Sequence, residues 1–324
     1  MKGDRDAAVP EGRRSFRWLL KLTVSALLLT WVMGRADLSE VAQALTAADF
    51  RLVGLALALN TLGWTISVTR WRVLLAAKNV RASFVHLLRS YLSAIFFNNL
   101  LPSTIGGDAL RVYESWALGA GRAGAIAVIG VDRLLGVLAL LILALAALFM
   151  APSVVTELPL LPLWLGAAAG ALFVLSTLLL ASTRSISGLR RHMADFMPRR
   201  LGRIVSSLSG AFRELQQTPR ATAAAVALSF LLQLNVIGHF FLLALALNLD
   251  VPPADFAVIV PLALAVMAIP ISVNAIGLRE SAFTFFLGLL GVSSNQALAL
   301  AWLAFGLVLV QGAIGGVVYA LRRT

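Results

Sequence analysis

Apolar residues fill six long runs, at about 18–34, 51–69, 123–149, 161–181, 221–248 and 296–321, and polar segments separate them. Each run is near or above the ~20 apolar residues that a helix needs to cross a bilayer, so each is read as a membrane span. Two further stretches interrupt the pattern. The first is Asn98-Asn99-Leu-Leu-Pro102-Ser-Thr-Ile-Gly106-Gly107-Asp108-Ala-Leu-Arg111, and the second is Pro270-Ile-Ser-Val-Asn274-Ala-Ile-Gly277-Leu-Arg279-Glu280. Both break a helix, both carry an acid and an arginine, and both lie between apolar flanks. An ionisable group at membrane depth costs about 3 kcal/mol even on the lenient insertion scale, so such groups persist where they line a cavity or a path.

The loops set an orientation. Basic residues mark the N-terminal tail (Arg13, Arg14, Arg17), the 70–89 loop, the 182–220 loop with its eight arginines, and the Arg322-Arg323 end. The 35–50 loop is mixed, and 150–160 and 249–255 hold acids without bases. Basic loops face the cytoplasm, which puts both termini inside. The alternation holds when 84–119 and 254–292 each enter and leave on one side, as re-entrant hairpins. The expected architecture is therefore an all-α polytopic membrane protein, one transmembrane domain over 1–324, with about six full spans and two re-entrant helical hairpins. Its halves, about 18–149 and 161–321, share one order of elements with opposite orientation, the pattern of an inverted-topology repeat. Within the basic 182–220 loop, residues 200–217 carry an apolar helical face suited to the inner leaflet. Residues 37–49 read as a short outer helix with a capping box begun by Asp37.

Composition agrees with a membrane protein. Hydrophobic residues make up 60% and charged residues 13% of the 324, against ~45–50% and ~25% in soluble domains. The formal charge of +12 is read as arginines facing anionic lipid rather than nucleic acid, because no recognition module accompanies it. The absence of cysteine excludes disulfides and thiol chemistry. His86, His192 and His239 show no ligand spacing, and no phosphate-binding Gly-x4-Gly-Lys-Ser/Thr loop occurs, so neither a metal nor a bound cofactor is expected.

The charged positions supply the candidate chemistry. After Pro102 and Gly106-Gly107, a half-helix beginning near Asp108 would present N-terminal amides, with Arg111 in its first turn, as a phosphate site. Asn98 and Asn99 add neutral donors. Two readings stand for Asp108 and Arg111: ligand binding, or mutual neutralisation at i, i+3. Pro270, Asn274, Gly277, Arg279 and Glu280 repeat the arrangement; Glu280, in the first turn of the returning helix, is also favoured there by the helix dipole alone, and adjacent Arg279 and Glu280 point in different directions. Asp132-Arg133 lies inside the 123–149 span; Arg111 is the proposed partner of Asp132, against local pairing with Arg133 snorkelling to the surface. Arg70-Trp71-Arg72 reads as an interfacial anchor; Gln233, Asn235 and His239 lie in the 221–248 span, where Gln233 and Asn235 point to different faces and at least one of them reads as a link between helices.

Taken in order, Asn98-Asn99-x-x-Pro102-x-x-x-Gly106-Gly107-Asp108-x-x-Arg111, Asp132-Arg133-x-x-Gly136, and Pro270 through Gly277-x-Arg279-Glu280 resemble the lysylphosphatidylglycerol synthase transmembrane family. That family includes the flippase domain of the bacterial multiple peptide resistance factor. The resemblance runs from about residue 16 to 321. It implies movement of a phospholipid or lipid-linked head group between leaflets of a bacterial cytoplasmic membrane. No aminoacyl-transferase segment follows residue 324, so synthesis of lysyl-lipid is not expected of this chain.

The leading expectation is a lipid flippase, not an enzyme, with membrane lipid as its substrate. Arg111 and the hairpin amides would hold phosphate, and Asp108, Asp132 or Glu280 would balance an amine or relay protons. Alternatives are an integral-membrane head-group transferase, and a membrane partner that recruits a separate lipid-modifying enzyme through the 182–220 loop.

Overall fold

A computed structural model describes residues 11–34, 36–100, 105–180, 217–269 and 271–321. Pro102, Pro270 and the amphipathic segment expected at 200–217 lie outside the described residues. The described residues form helices and short connections, and no strand occurs among them. The first half contains α1 (Glu11–Met33), α2 (Leu38–Thr46), α3 (Phe50–Ala76), α4 (Phe84–Leu100), α5 (Ile105–Ser115) and α6 (Arg122–Leu148). A π-helical turn at Trp116–Ala120 joins the last two. After α7 (Pro152–Glu157) and α8 (Leu161–Leu180) come α9 (Pro219–Ala246), α10 (Pro253–Met267), α11 (Leu278–Gly288) and α12 (Ser294–Leu321).

Four helices, α3, α6, α9 and α12, are long and apolar enough to cross a membrane. By contrast, α5 and α11 have 11 residues each. At 1.5 Å per residue they rise about 16 Å, roughly half of a 30 Å hydrocarbon core. Each follows a break in the chain and turns back on the helix before it, α5 on α4 and α11 on α10.

The most extensive contact joins α3 to α9, one helix from each half. Polar links tie this seam: Asn235 Nδ2 donates to the Leu59 carbonyl at 2.8 Å, and His239 Nδ1 lies 2.9 Å from the Ala56 carbonyl. Asn235 does what the sequence suggested, and His239 does the same, holding helices together where lipid offers no hydrogen bonds. The other large contacts cross over, α4 lying on α12 and α10 on α6. Small residues make the first of these close. A Cβ at Gly315 would collide with the Leu92 carbonyl, and one at Gly312 with the Asn99 amide.

Two apolar clusters flank the centre. One gathers Val68, Trp71, Leu75, Leu87, Val128 and Val131 from α3, α4 and α6. The larger gathers Phe240, Phe256, Phe283, Leu298 and Leu300 from α9 to α12. Outside them, α2 caps differently from the expected box. Asp37 accepts from the amides of Ser39 and Glu40, but its own amide donates to Asn295 Oδ1 at 2.9 Å rather than to Glu40. Glu40 bonds the Asn295 amide instead, so the cap fastens α2 to the start of α12.

Candidate functional site

Three arginines and two aspartates form one network between α3, α5 and α6. Asp132 is its centre, 2% exposed in the middle of α6. Arg70 Nε donates to Asp132 Oδ1 at 2.6 Å, and both terminal nitrogens of Arg111 donate to Oδ2 at 3.1 Å. Arg70 also reaches Ser229 Oγ on α9 at 3.0 Å. Asp108, in the first turn of α5, takes a two-pronged contact from Arg133, at 2.8 and 2.7 Å. Arg111 approaches Asp108 only to 3.7 Å. The guanidinium of Arg111 sits over the rings of Trp71 and Tyr91, 4.9 and 5.7 Å from their centroids, so its faces are covered as well as its edge.

The local sequence explains this placement. At the tip of the first hairpin, Asn98 Oδ1 accepts from the Gly107 amide at 2.7 Å, which satisfies one orphan donor of the helix start. A Cβ on Gly107 would lie 2.6 Å from the Ala94 carbonyl, so only glycine lets α5 begin this close to α4. The helix starts at Ile105, three residues earlier than expected, which puts Asp108 and Arg111 on successive turns facing α6. The expected partnership of Arg111 with Asp132 is present, whereas Arg133 pairs with Asp108 rather than snorkelling.

The second break has a different character. Asn274 and Ala275 both have positive φ, 49° and 56°, ahead of Gly277 at 80°. Gly277 is the N-cap of α11, and Glu280 Oε2 accepts from its amide at 2.7 Å. The Gly277 position admits no side chain, because a Cβ would lie 2.6 Å from Leu28 on α1. Arg279 is 6% exposed and forms no ion pair among the described residues. Its Nη2 makes a 3.4 Å contact with the Asn274 carbonyl, its plane lies 4.4 Å from the Phe305 ring centroid, and its Nη1 is buried without a partner.

These groups share two adjoining cavities. One of about 510 Å³ opens between the halves and is lined by Arg70, Asp108, Asp132 and Arg133 from one side and by Asn274, Ala275 and Arg279 from the other. Gln233 also lines it and donates to the Gly136 carbonyl at 3.1 Å. A smaller space of about 120 Å³ reaches Asn98, Gly107 and Arg111. Of the sequence candidates, Asn98, Asp108, Arg111, Asp132, Arg133, Asn274 and Arg279 thus line one or both cavities. Two do not. Asn99 donates to the Val308 carbonyl at 2.9 Å on α12, and Glu280 is spent on its own helix cap.

Arg70 was missed. Hydropathy ends the second span near residue 69, but α3 continues to Ala76 and carries Arg70 inside. The signal available was an arginine followed by Trp71 and four more apolar residues within seven positions, which extends the helical run past the charge.

Comparison with known proteins follows the same lines. The model of the lysylphosphatidylglycerol synthase TM region matches residues 18–316. A UPF0104 membrane protein of Pyrococcus horikoshii is 30% identical over 95 residues, which is 29% of this chain and 27% of that relative's length. No solved structure matches. With the four long apolar helices, these matches establish a multi-pass membrane protein.

Proposed function

The chain belongs to the lysylphosphatidylglycerol synthase transmembrane-region family, and from that membership we propose that it moves a phospholipid or lipid-linked head group between leaflets. The observation that carries this reading is the 510 Å³ cavity, into which both helix breaks deliver charged or polar groups. A head group fits a space of this size, while acyl chains remain in the bilayer beside it. Non-helical backbone at membrane depth is tolerated where it lines a wet space, and the reading is supported by Asn274 and Ala275, which have positive φ and line this cavity.

The proposed topology has six spans, with α1 and α8 joining the four long helices, and two hairpins, α4–α5 and α10–α11. The crossed contacts of α4 with α12 and of α10 with α6 support an inverted repeat, since a two-fold axis in the membrane plane exchanges one pair for the other. Rocking one half against the other about the α3–α9 seam would then open the cavity to each leaflet in turn. The termini are placed in the cytoplasm, and the membrane is taken as a bacterial cytoplasmic one.

Liposomes containing the purified protein and a trace of head-group-labelled phospholipid test this reading. Quenching the outer leaflet should reveal protein-dependent exchange of the label. Val137→Trp, which fills the cavity wall without touching the ion network, should slow that exchange at least fivefold. Exchange no faster than in protein-free liposomes would end the proposal.

A further inference from the structure

If the cavity does receive a lipid head group, its charges state which kind. Its lining holds three arginines, Arg70, Arg133 and Arg279, against two aspartates, Asp108 and Asp132, which leaves one positive charge. Including Arg111 in the adjoining space leaves two. The carboxylates are saturated. Asp132 receives Arg70 on one oxygen and Arg111 on the other, Asp108 is clasped by Arg133, and Glu280 is closed onto the Gly277 amide. An ammonium group entering here would meet no free carboxylate and would have to displace an arginine from one. The cation side is not saturated: Arg279 has no acid partner among the described residues, and its buried Nη1 bonds to nothing.

We propose that the cargo is a net-anionic, phosphate-bearing lipid, with the phosphate seated on Arg279, and that lipids esterified with a cationic amino acid are disfavoured. The inference rests on the transport reading for the word cargo, but the anion site stands on geometry alone. Two guanidinium groups line the cavity from opposite sides, Arg279 from the second half and Arg133, whose side chain is 58% exposed, from the first. Asn274 and Gln233 provide neutral polar groups beside them. The asymmetry between the halves is the point: in the first half every arginine of the cavity is ion-paired with an aspartate, whereas in the second Arg279 lines the cavity without an ion pair among the described residues.

The test uses the full chain in detergent micelles and four probes: dihexanoyl phosphatidylglycerol, dihexanoyl phosphatidylcholine, a short-chain lysyl-phosphatidylglycerol and inorganic phosphate. Phosphatidylglycerol should bind at least tenfold more tightly than the lysyl ester, with the zwitterionic lipid between them. Arg279→Gln should bring the anionic lipid to within about twofold of the others, and Arg279→Lys should recover part of the preference. Equal or tighter binding of the lysyl ester, or an undiminished preference in Arg279→Gln, would overturn the inference. So would inorganic phosphate competing at the concentration of the lipid, which would mark a site for a soluble anion. The wild-type ranking does not depend on either variant folding. The same lipids in liposomes separate the two ideas. Preferential binding with no translocation removes transport and leaves the anion site; translocation of both lipids at equal rates removes the inference and leaves transport.

Discussion

Asp132 is the residue on which the first half depends. It holds two buried arginines from two other helices, so Asp132→Asn strands both cations in a dry environment. Removing one member of a buried charge pair typically destabilises by about 3–5 kcal/mol. Asp132→Asn is therefore expected to lower the melting temperature sharply, or to prevent monodisperse extraction, as read by thermal-shift chromatography. Arg133→Gln breaks a pair whose arginine side chain is 58% exposed and should be nearly silent in the same assay. Sequence reasoning reached Asp132 and its partner Arg111 because an acid inside an apolar run demands a cation. It did not reach Arg70, because that arginine stands where hydropathy already predicts an interface, and its partner lies 62 residues away. Of the two readings open for Glu280, the local one is seen in the cap of α11. A glutamate three residues after a glycine at a helix start is a capping arrangement, and that local role was legible before any functional one.

At the level of elements, lengths separate the spans from the hairpins. Hydropathy located the four helices that are long and apolar enough to cross a membrane among the described residues, with ends within two residues of those expected except at α3, which runs seven residues further, to Ala76. Breaks were visible as Pro, Gly and Asn, yet the close approach of α4 to α12 was not, since it depends on glycines 213 or more residues from the residues they face. The α2 cap gives a pH signature outside the spans. Bonds from the Ser39 hydroxyl and from the Ser39 and Glu40 amides hold the Asp37 carboxyl below the ordinary 3.8. A depressed acid stabilises above its unfolded value and loses that contribution as pH falls through its folded one. Asp37→Ala should therefore lower the melting temperature at pH 7, with the gap to wild type closing below pH 3.8. An unchanged gap in acid would mean that the carboxylate does not make the cap.

For the whole molecule, the central claim is a wet space enclosed by apolar helices, and the chain is suited to checking it because it lacks cysteine. Val137 lines the cavity and Val310 faces outward from the middle of α12, with similar exposures of 47% and 50%. Geometry alone therefore does not distinguish them; solvent does. A single cysteine introduced as Val137→Cys should react with a membrane-impermeant maleimide, and one introduced as Val310→Cys should not. Equal protection of both would mean that the space is dry.

The crossed contact of α4 with α12 also bears on how the chain is made. The face of α4 that carries Leu92, Phe96 and Asn99 rests on Val308, Gly312, Gly315 and Gly316, which are synthesised some two hundred residues after it. Until they emerge, the first hairpin has no surface to close against and the Asn99 amide no carbonyl to meet. Biogenesis must therefore shelter a half-built hairpin for some two hundred residues of synthesis, until α12 is in place to complete it.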